Sequence, residues 1–202
     1  RIVIAGSHGK TTITSIIMHV LKFYKKDFDY LVGAKVNGFN KNVKLSNSPI
    51  IIIEGDEYLT SPLDKKPKFL NYNHHIVLIS GIEWDHFNVF NTFKKYLKQF
   101  ENLVKITPKG GQIIYNKNDE NIKNILENHI DENINKMSYS ELSFINKYGK
   151  TLLIYENKKI PIKIFGKHNM QNLGGAQKVL NQLGIEEKLF YKAIKTFKLP
   201  HQ

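Results

Sequence analysis

Apolar positions along the chain switch between two periods, and the switches mark out its elements. Ile2-Val3-Ile4-Ala5 is a continuous apolar run, the pattern of a strand buried on both faces. Ile13, Ile16, Ile17, Val20, Leu21 and Tyr24 then recur at helical spacing. Tyr30 to Val32 reads as a short strand, and residues 33–48 as a Gly/Asn/Lys-rich loop or hairpin turning at Asn37-Gly38. Ile50-Ile51-Ile52-Ile53 and Ile76-Val77-Leu78-Ile79 are two more buried strands, separated by a loop with one helical turn at most. Phe90, Phe93, Leu97, Phe100, Leu103 and Val104 mark a long amphipathic helix. Gln112 to Tyr115 predicts a strand, 122–130 a shorter helix, and 137–139 a further short strand. Near residue 150 the pattern changes. Leu152–Tyr155 and Ile160–Phe165 flank Glu156-Asn157-Lys158-Lys159, which predicts an antiparallel hairpin. Two helices follow, from about Gly166 and about Leu189. The alternation of strands and helices predicts an α/β fold: a P-loop-type, mostly parallel sheet flanked by helices, with a small antiparallel side sheet.

Composition narrows the class. At 202 residues the chain suits a single domain that buries its own core. It has no cysteine, so disulfides and thiolate metal sites are excluded. No apolar run reaches the length of a membrane span and no signal peptide leads the chain, so a cytoplasmic protein is expected. The chain starts at Arg1 directly on a strand, as a piece cut from a longer protein would. The net charge of +12 raises nucleic-acid binding. Against that, the positive charge is lysine spread over the chain, with arginine only at position 1. Arginine is the usual bidentate reader of phosphate and guanine. No nucleic acid is expected, and a polyanionic small molecule suits the charge better.

The candidate chemistry begins at the end of the first strand. Gly6-Ser7-His8-Gly9-Lys10-Thr11-Thr12 is a tight glycine turn between a strand and a helix, the setting of a phosphate-binding loop. Lys10 supplies a positive charge for phosphate oxygens and Thr11 a hydroxyl for magnesium. The spacing is shorter than the usual four residues between the first glycine and Gly-Lys. Glu54, Asp56 and Glu57 follow one buried strand and Glu83, Asp85 and His86 another, at the carboxyl edge where open α/β sheets bind ligands. Thr11, Glu54 and His86 are therefore the candidate metal-binding set. His19, His74, His75 and His129 receive no role.

Taken together the motifs resemble the central domain of the Mur ligases. The short loop, Glu54-Gly55-Asp56-Glu57, Glu83-Trp84-Asp85-His86 and Gly166-x-His168-Asn169-x-x-Asn172 match the family's motifs in order. Two departures are Ser7, where the family usually has Thr, and Asn88, where it often has Asp. Glu57-Tyr58 with Asp64-Lys65-x-x-Lys68-Phe69-x-x-Tyr72 is similar to the members that add a tripeptide, and less so to those that add L-alanine. The resemblance implies ATP and Mg2+ as cofactors. It implies UDP-N-acetylmuramate and an amino acid or peptide amine as substrates, joined through an acyl phosphate in peptidoglycan synthesis or recycling. Lys10, Glu54 and His86 would be catalytic. Gly6 to Thr12 with His168, Asn169 and Asn172 would hold the nucleotide, and Asp56 and Tyr58 would face the substrate. No carbamylated lysine is expected, because the relevant position falls near Phe100. Residues 1–202 would form the central ATPase domain alone, without the amino-terminal UDP-binding and carboxyl-terminal domains, and this piece would not ligate. A nucleotide-dependent switch is the alternative from outside the family.

Overall fold

The computed structural model describes residues 1–61, 63–64, 66–84, 90–129 and 131–200. Two compact units divide the chain: residues 1–10 with 53–138, and residues 11–52 with 139–202. The first contains β1 (Ile2–Ala5), β5 (Ile76–Ile79) and β6 (Gln112–Asn116), which pair in parallel. All four residues of β1 are buried, as its unbroken apolar run requires of a strand covered on both faces. β4 (Ile51–Glu54) carries the chain from one unit into the other. With β2 (Asp29–Leu31), β3 (Val43–Lys44) and β7 (Asn135–Tyr139), these strands form one sheet in the order β3-β2-β4-β1-β5-β6-β7. The order reverses beside β1, whose neighbours are β4 and β5. Such a reversal opens a crevice at the carboxyl ends of the strands.

Two helices complete the first unit. α2 (Phe93–Lys105) begins at an N-cap, Thr92, whose side chain accepts from Lys95 N–H. The helix was expected from Phe90, and its first ordered turn starts three residues later. It buries Tyr96, Phe100, Leu103 and Val104 completely. Each such side chain stabilises by about 2 kcal/mol through its apolar area. α3 (Glu120–Glu127) is capped by Asp119, whose Oδ1 accepts from Ile122 N–H at 3.0 Å.

The second unit contains α1 (Lys10–Phe23) from its second residue on, the antiparallel pair β2–β3, and a side sheet. The expected hairpin there is β9 (Lys150–Tyr155) with β10 (Lys158–Ile162), turning through Glu156 and Asn157, both at positive φ. A third strand, β8 (Phe144–Lys147), pairs with β9 through a second two-residue turn at Tyr148-Gly149. Both turns therefore have the positive φ pair of the tight hairpin type. The sequence reading missed β8 because its exposed, lysine-ended run has no clear alternation. α4 (Lys167–Gln182) and α5 (Glu187–Ile194) follow. In α4 a Cβ at Gly174 would lie 2.0 Å from Ser140 O, so only glycine allows that close approach. Among the described residues no helix is long and apolar enough to cross a membrane.

Candidate active site

The loop after β1 is built by backbone contacts on both sides. Gly55 N–H donates to Ile4 O at 2.7 Å, and Ser7 N–H to Gly81 O at 2.9 Å. The segment after β4 and the segment after β5 thus clasp the end of β1. Gly6 has φ +126°, and a Cβ there would meet Ser80 Oγ at 2.2 Å. Glycine is the residue that permits both the conformation and the approach. Gly9 also has positive φ, and α1 begins at the next residue, Lys10. The strand, glycine turn and helix start that the sequence predicted are all present.

The loop side chains divide into those committed to the protein and those that reach outward. Ser7 Oγ donates to Glu83 O at 2.7 Å and accepts from Glu83 N–H at 2.8 Å. Its only proton is thereby used, so Tyr96 Oη, 2.8 Å away, is the donor in that contact. Ser7 is expected to hold nucleotide, yet its hydroxyl faces the fold; only its backbone remains for a ligand. Ser80 Oγ donates to His8 O at 2.5 Å and fixes the next residue of the turn. The His8 ring is partly exposed, with Nε2 3.3 Å from Glu83 Oε2. The 81–83 segment is itself held by Asp119, whose Oδ2 accepts from Ile82 N–H at 2.7 Å.

Lys10 Nζ donates to Gly6 O at 2.6 Å and to Glu57 Oε1 at 2.9 Å, and Glu57 Oε2 is also 2.9 Å away. Glu57 is 1% exposed. Next to it, Asp56 Oδ2 accepts from Lys68 Nζ at 2.7 Å and Oδ1 accepts from Tyr58 N–H at 3.0 Å. Burial works to raise the Asp56 carboxyl, but the bonds from Lys68 and Tyr58 and the charge of Lys10 outweigh it and hold it below its usual range. The Lys68 ammonium is raised in turn, chiefly by its bond to Asp56. Tyr72 is pushed up by burial and then by the Asp56 charge. A 3-10 turn at Lys68–Asn71 and an isolated bridge between Leu59 and Pro67 fold this loop back on itself, so Lys68 reaches Asp56. Glu54 ends β4, half-buried.

Thr11, Thr12, His168, Asn169 and Asn172 belong to the second unit. Thr11 and Thr12 stand in the first turn of α1, where Thr11 O accepts from Ser15 Oγ at 2.6 Å. His168 is exposed in the first turn of α4, Asn169 Nδ2 donates to Phe165 O at 2.9 Å, and Asn172 is buried. Asp85, His86 and Asn88 lie outside the described residues. Among the described residues no three His, Cys, Asp or Glu side chains gather as a metal cage.

Sequence reading missed three residues of this arrangement: Glu57, Tyr96 and Ser80. Glu57 stood in the acidic motif, but spacing does not say which carboxylate meets Lys10. Tyr96 is not among the apolar positions read for α2, where Leu97 was expected on the buried face; the structure buries Tyr96 and leaves Leu97 partly exposed.

A glycine-turn loop that delivers a lysine to the first turn of a helix, at the reversal point of an α/β sheet, is the architecture of the P-loop class. Residues 4–180 match the Mur ligase middle domain, and the chain belongs to the Mur ligase family. A UDP-N-acetylmuramate–L-alanyl-γ-D-glutamyl-meso-2,6-diaminoheptandioate ligase from Haemophilus influenzae is 26% identical over 209 residues, 96% of this chain and 44% of that protein. The UDP-N-acetylmuramate–L-alanine ligase of Dictyoglomus turgidum is 30% identical over 206 residues, 97% of this chain and 43% of that protein. The chain spans under half the length of these curated relatives. Among solved structures, the UDP-N-acetylmuramate:L-alanyl-γ-D-glutamyl-meso-diaminopimelate ligase from Neisseria meningitides superposes with a TM-score of 0.82 at 25% identity, over all of this chain and 67% of that one.

Proposed function

We propose that this chain is the ATP-handling middle domain of a ligase that joins UDP-N-acetylmuramate to the amine of L-alanyl-γ-D-glutamyl-meso-diaminopimelate. The observation that carries this reading is Lys10, held at the start of α1 beside the glycine turn, in a chain that matches the family's middle domain over residues 4–180. ATP would transfer its γ-phosphoryl group to a carboxylate oxygen of UDP-N-acetylmuramate, and ADP would leave. The peptide amine would then attack the acyl carbon, lose a proton, and expel phosphate. Such transfer depends mostly on positioning and on neutralising charge. The backbone N–H groups of Gly6 to Thr12 and the Lys10 ammonium would bind the phosphates. His168, Asn169 and Asn172, at the start of α4, would contact the nucleoside.

Thr11 and Glu54 supply a hydroxyl and a carboxylate, hard oxygen donors of the kind Mg2+ takes while keeping several waters. They fit that ion, and His86 joins the set by its place in the motif. Magnesium bound there would neutralise developing charge on the phosphoryl oxygens. This reading also places the protein in the cytoplasm, in a longer chain with a UDP-binding and an amine-binding domain, and away from nucleic acid and membrane.

The tripeptide is favoured as amine by the Asp56–Lys68 pair beside Tyr72, residues of the stretch that is similar to the tripeptide-adding members. L-alanine is the second reading, favoured by the 30% identity to the Dictyoglomus protein. Phosphate release by the full-length protein, with ATP and UDP-N-acetylmuramate and either L-alanine or the tripeptide, decides between them. Release that depends on the tripeptide supports the first reading and release with L-alanine the second. No release with either amine overturns both.

A further inference from the structure

Lys10 is the cation that a phosphate-binding loop offers its ligand, but here its charge is already matched. Both oxygens of Glu57 lie 2.9 Å from its ammonium. Glu57 is almost wholly buried, so water screens its charge little. The neighbouring cation, Lys68, is matched in the same way by Asp56 at 2.7 Å. Glu54 places a further carboxylate at the end of β4.

A polyphosphate that reaches Lys10 also reaches Glu57, and at that range an incompletely screened repulsion offsets much of the attraction. A magnesium complex carries about two fewer negative charges than the free nucleotide and meets correspondingly less repulsion. We infer that Glu57 makes nucleotide binding conditional on a divalent cation: by cancelling Lys10, it leaves the loop unable to hold free polyphosphate tightly. The pair also fixes the ammonium against Gly6 O, so the lysine is placed before the ligand arrives. This inference rests on the nucleotide-binding reading above and assigns Glu57 a positioning and selecting role.

The test is ATP binding to the purified full-length protein by calorimetry, in EDTA and in excess Mg2+, for the wild type, Glu57→Gln and Glu57→Asp. Glu57→Gln is expected to tighten binding in EDTA by about tenfold, with a change of less than about threefold in Mg2+. Glu57→Asp, which keeps the charge, is expected to behave as the wild type. Equal weakening of Glu57→Gln in both conditions, or an unchanged ratio between them, would overturn the inference. A second measurement needs no variant: adenosine, ADP and ATP are compared on the wild type. Affinity should rise with each added phosphate in Mg2+ and fail to rise in EDTA. A rise of equal size in EDTA sinks the inference while leaving the nucleotide reading intact. Absence of binding in both conditions sinks that reading itself.

Discussion

The hydroxyl of Tyr96, a fully buried residue on α2, donates to Ser7 Oγ at 2.8 Å. One buried hydrogen bond thus joins the glycine turn to the helix that follows β5. With the two Glu83 backbone contacts, it leaves the Ser7 hydroxyl fully satisfied.

Tyr96→Phe removes the donor and little volume. The expected cost is about 1–2 kcal/mol of stability. Nucleotide affinity should fall by about threefold to tenfold as the turn loosens. Urea unfolding and calorimetric titration with ATP and Mg2+ measure the two effects; unchanged values in both would show that the bond holds nothing in place.

Lys10→Met strands Glu57 as a buried carboxylate without its cation. Breaking a buried pair in this way costs about 3–5 kcal/mol. The double variant Lys10→Met/Glu57→Leu removes both charges and should recover most of that loss. Unfolding midpoints of the single and double variants decide it, and a double variant no more stable than Lys10→Met would refute the ion-pair account.

Gly6→Ala places a Cβ 2.2 Å from Ser80 Oγ at φ +126°. The cost in backbone strain and displacement is about 3 kcal/mol or more, and nucleotide binding should be lost. Adding Ser80→Gly removes one clash, but Ser80 N at 2.9 Å and Gly81 O at 3.0 Å remain, so binding should stay poor. Restored affinity in the double variant would count against the geometry.

His74, two residues before β5, is 1% exposed, with Nε2 2.8 Å from Thr107 Oγ1. Burial, chiefly, lowers its pKa from 6.5 to about 4. Between these values the unfolded chain binds more protons, so stability rises with pH across that window. The contribution is complete above about pH 6.5 and is lost as pH falls toward 4, a swing of roughly 3 kcal/mol. Urea unfolding at several pH values should show this slope, and His74→Gln should flatten it. Equal slopes would mean that other groups carry the dependence.

Much of the framework was legible in the chain. The apolar runs at 2–5, 50–53 and 76–79 had to be strands covered on both faces, because no alternation offers water a side. Gly6 and Gly9 before Lys10 marked the turn, since a strand and a helix meet so closely only through positive φ. The acidic motif was legible as a cluster of carboxylates. The division of labour among Glu54, Asp56 and Glu57 was not, because Lys10 and Lys68 come from positions 44 to 47 residues before Glu54–Glu57 and 12 residues after Asp56. His86 was legible as a candidate, and its place lies outside the described residues.

The sequence by itself determined most of the strands and helices, the glycine turn before Lys10 and the family, because each depends on residue type at short range. Tertiary structure decided that the Ser7 hydroxyl turns inward to Tyr96 and that Lys10 shares its charge with Glu57. Those contacts span 89 and 47 positions of the chain. They exist only once packing has removed the water that would otherwise satisfy each group separately.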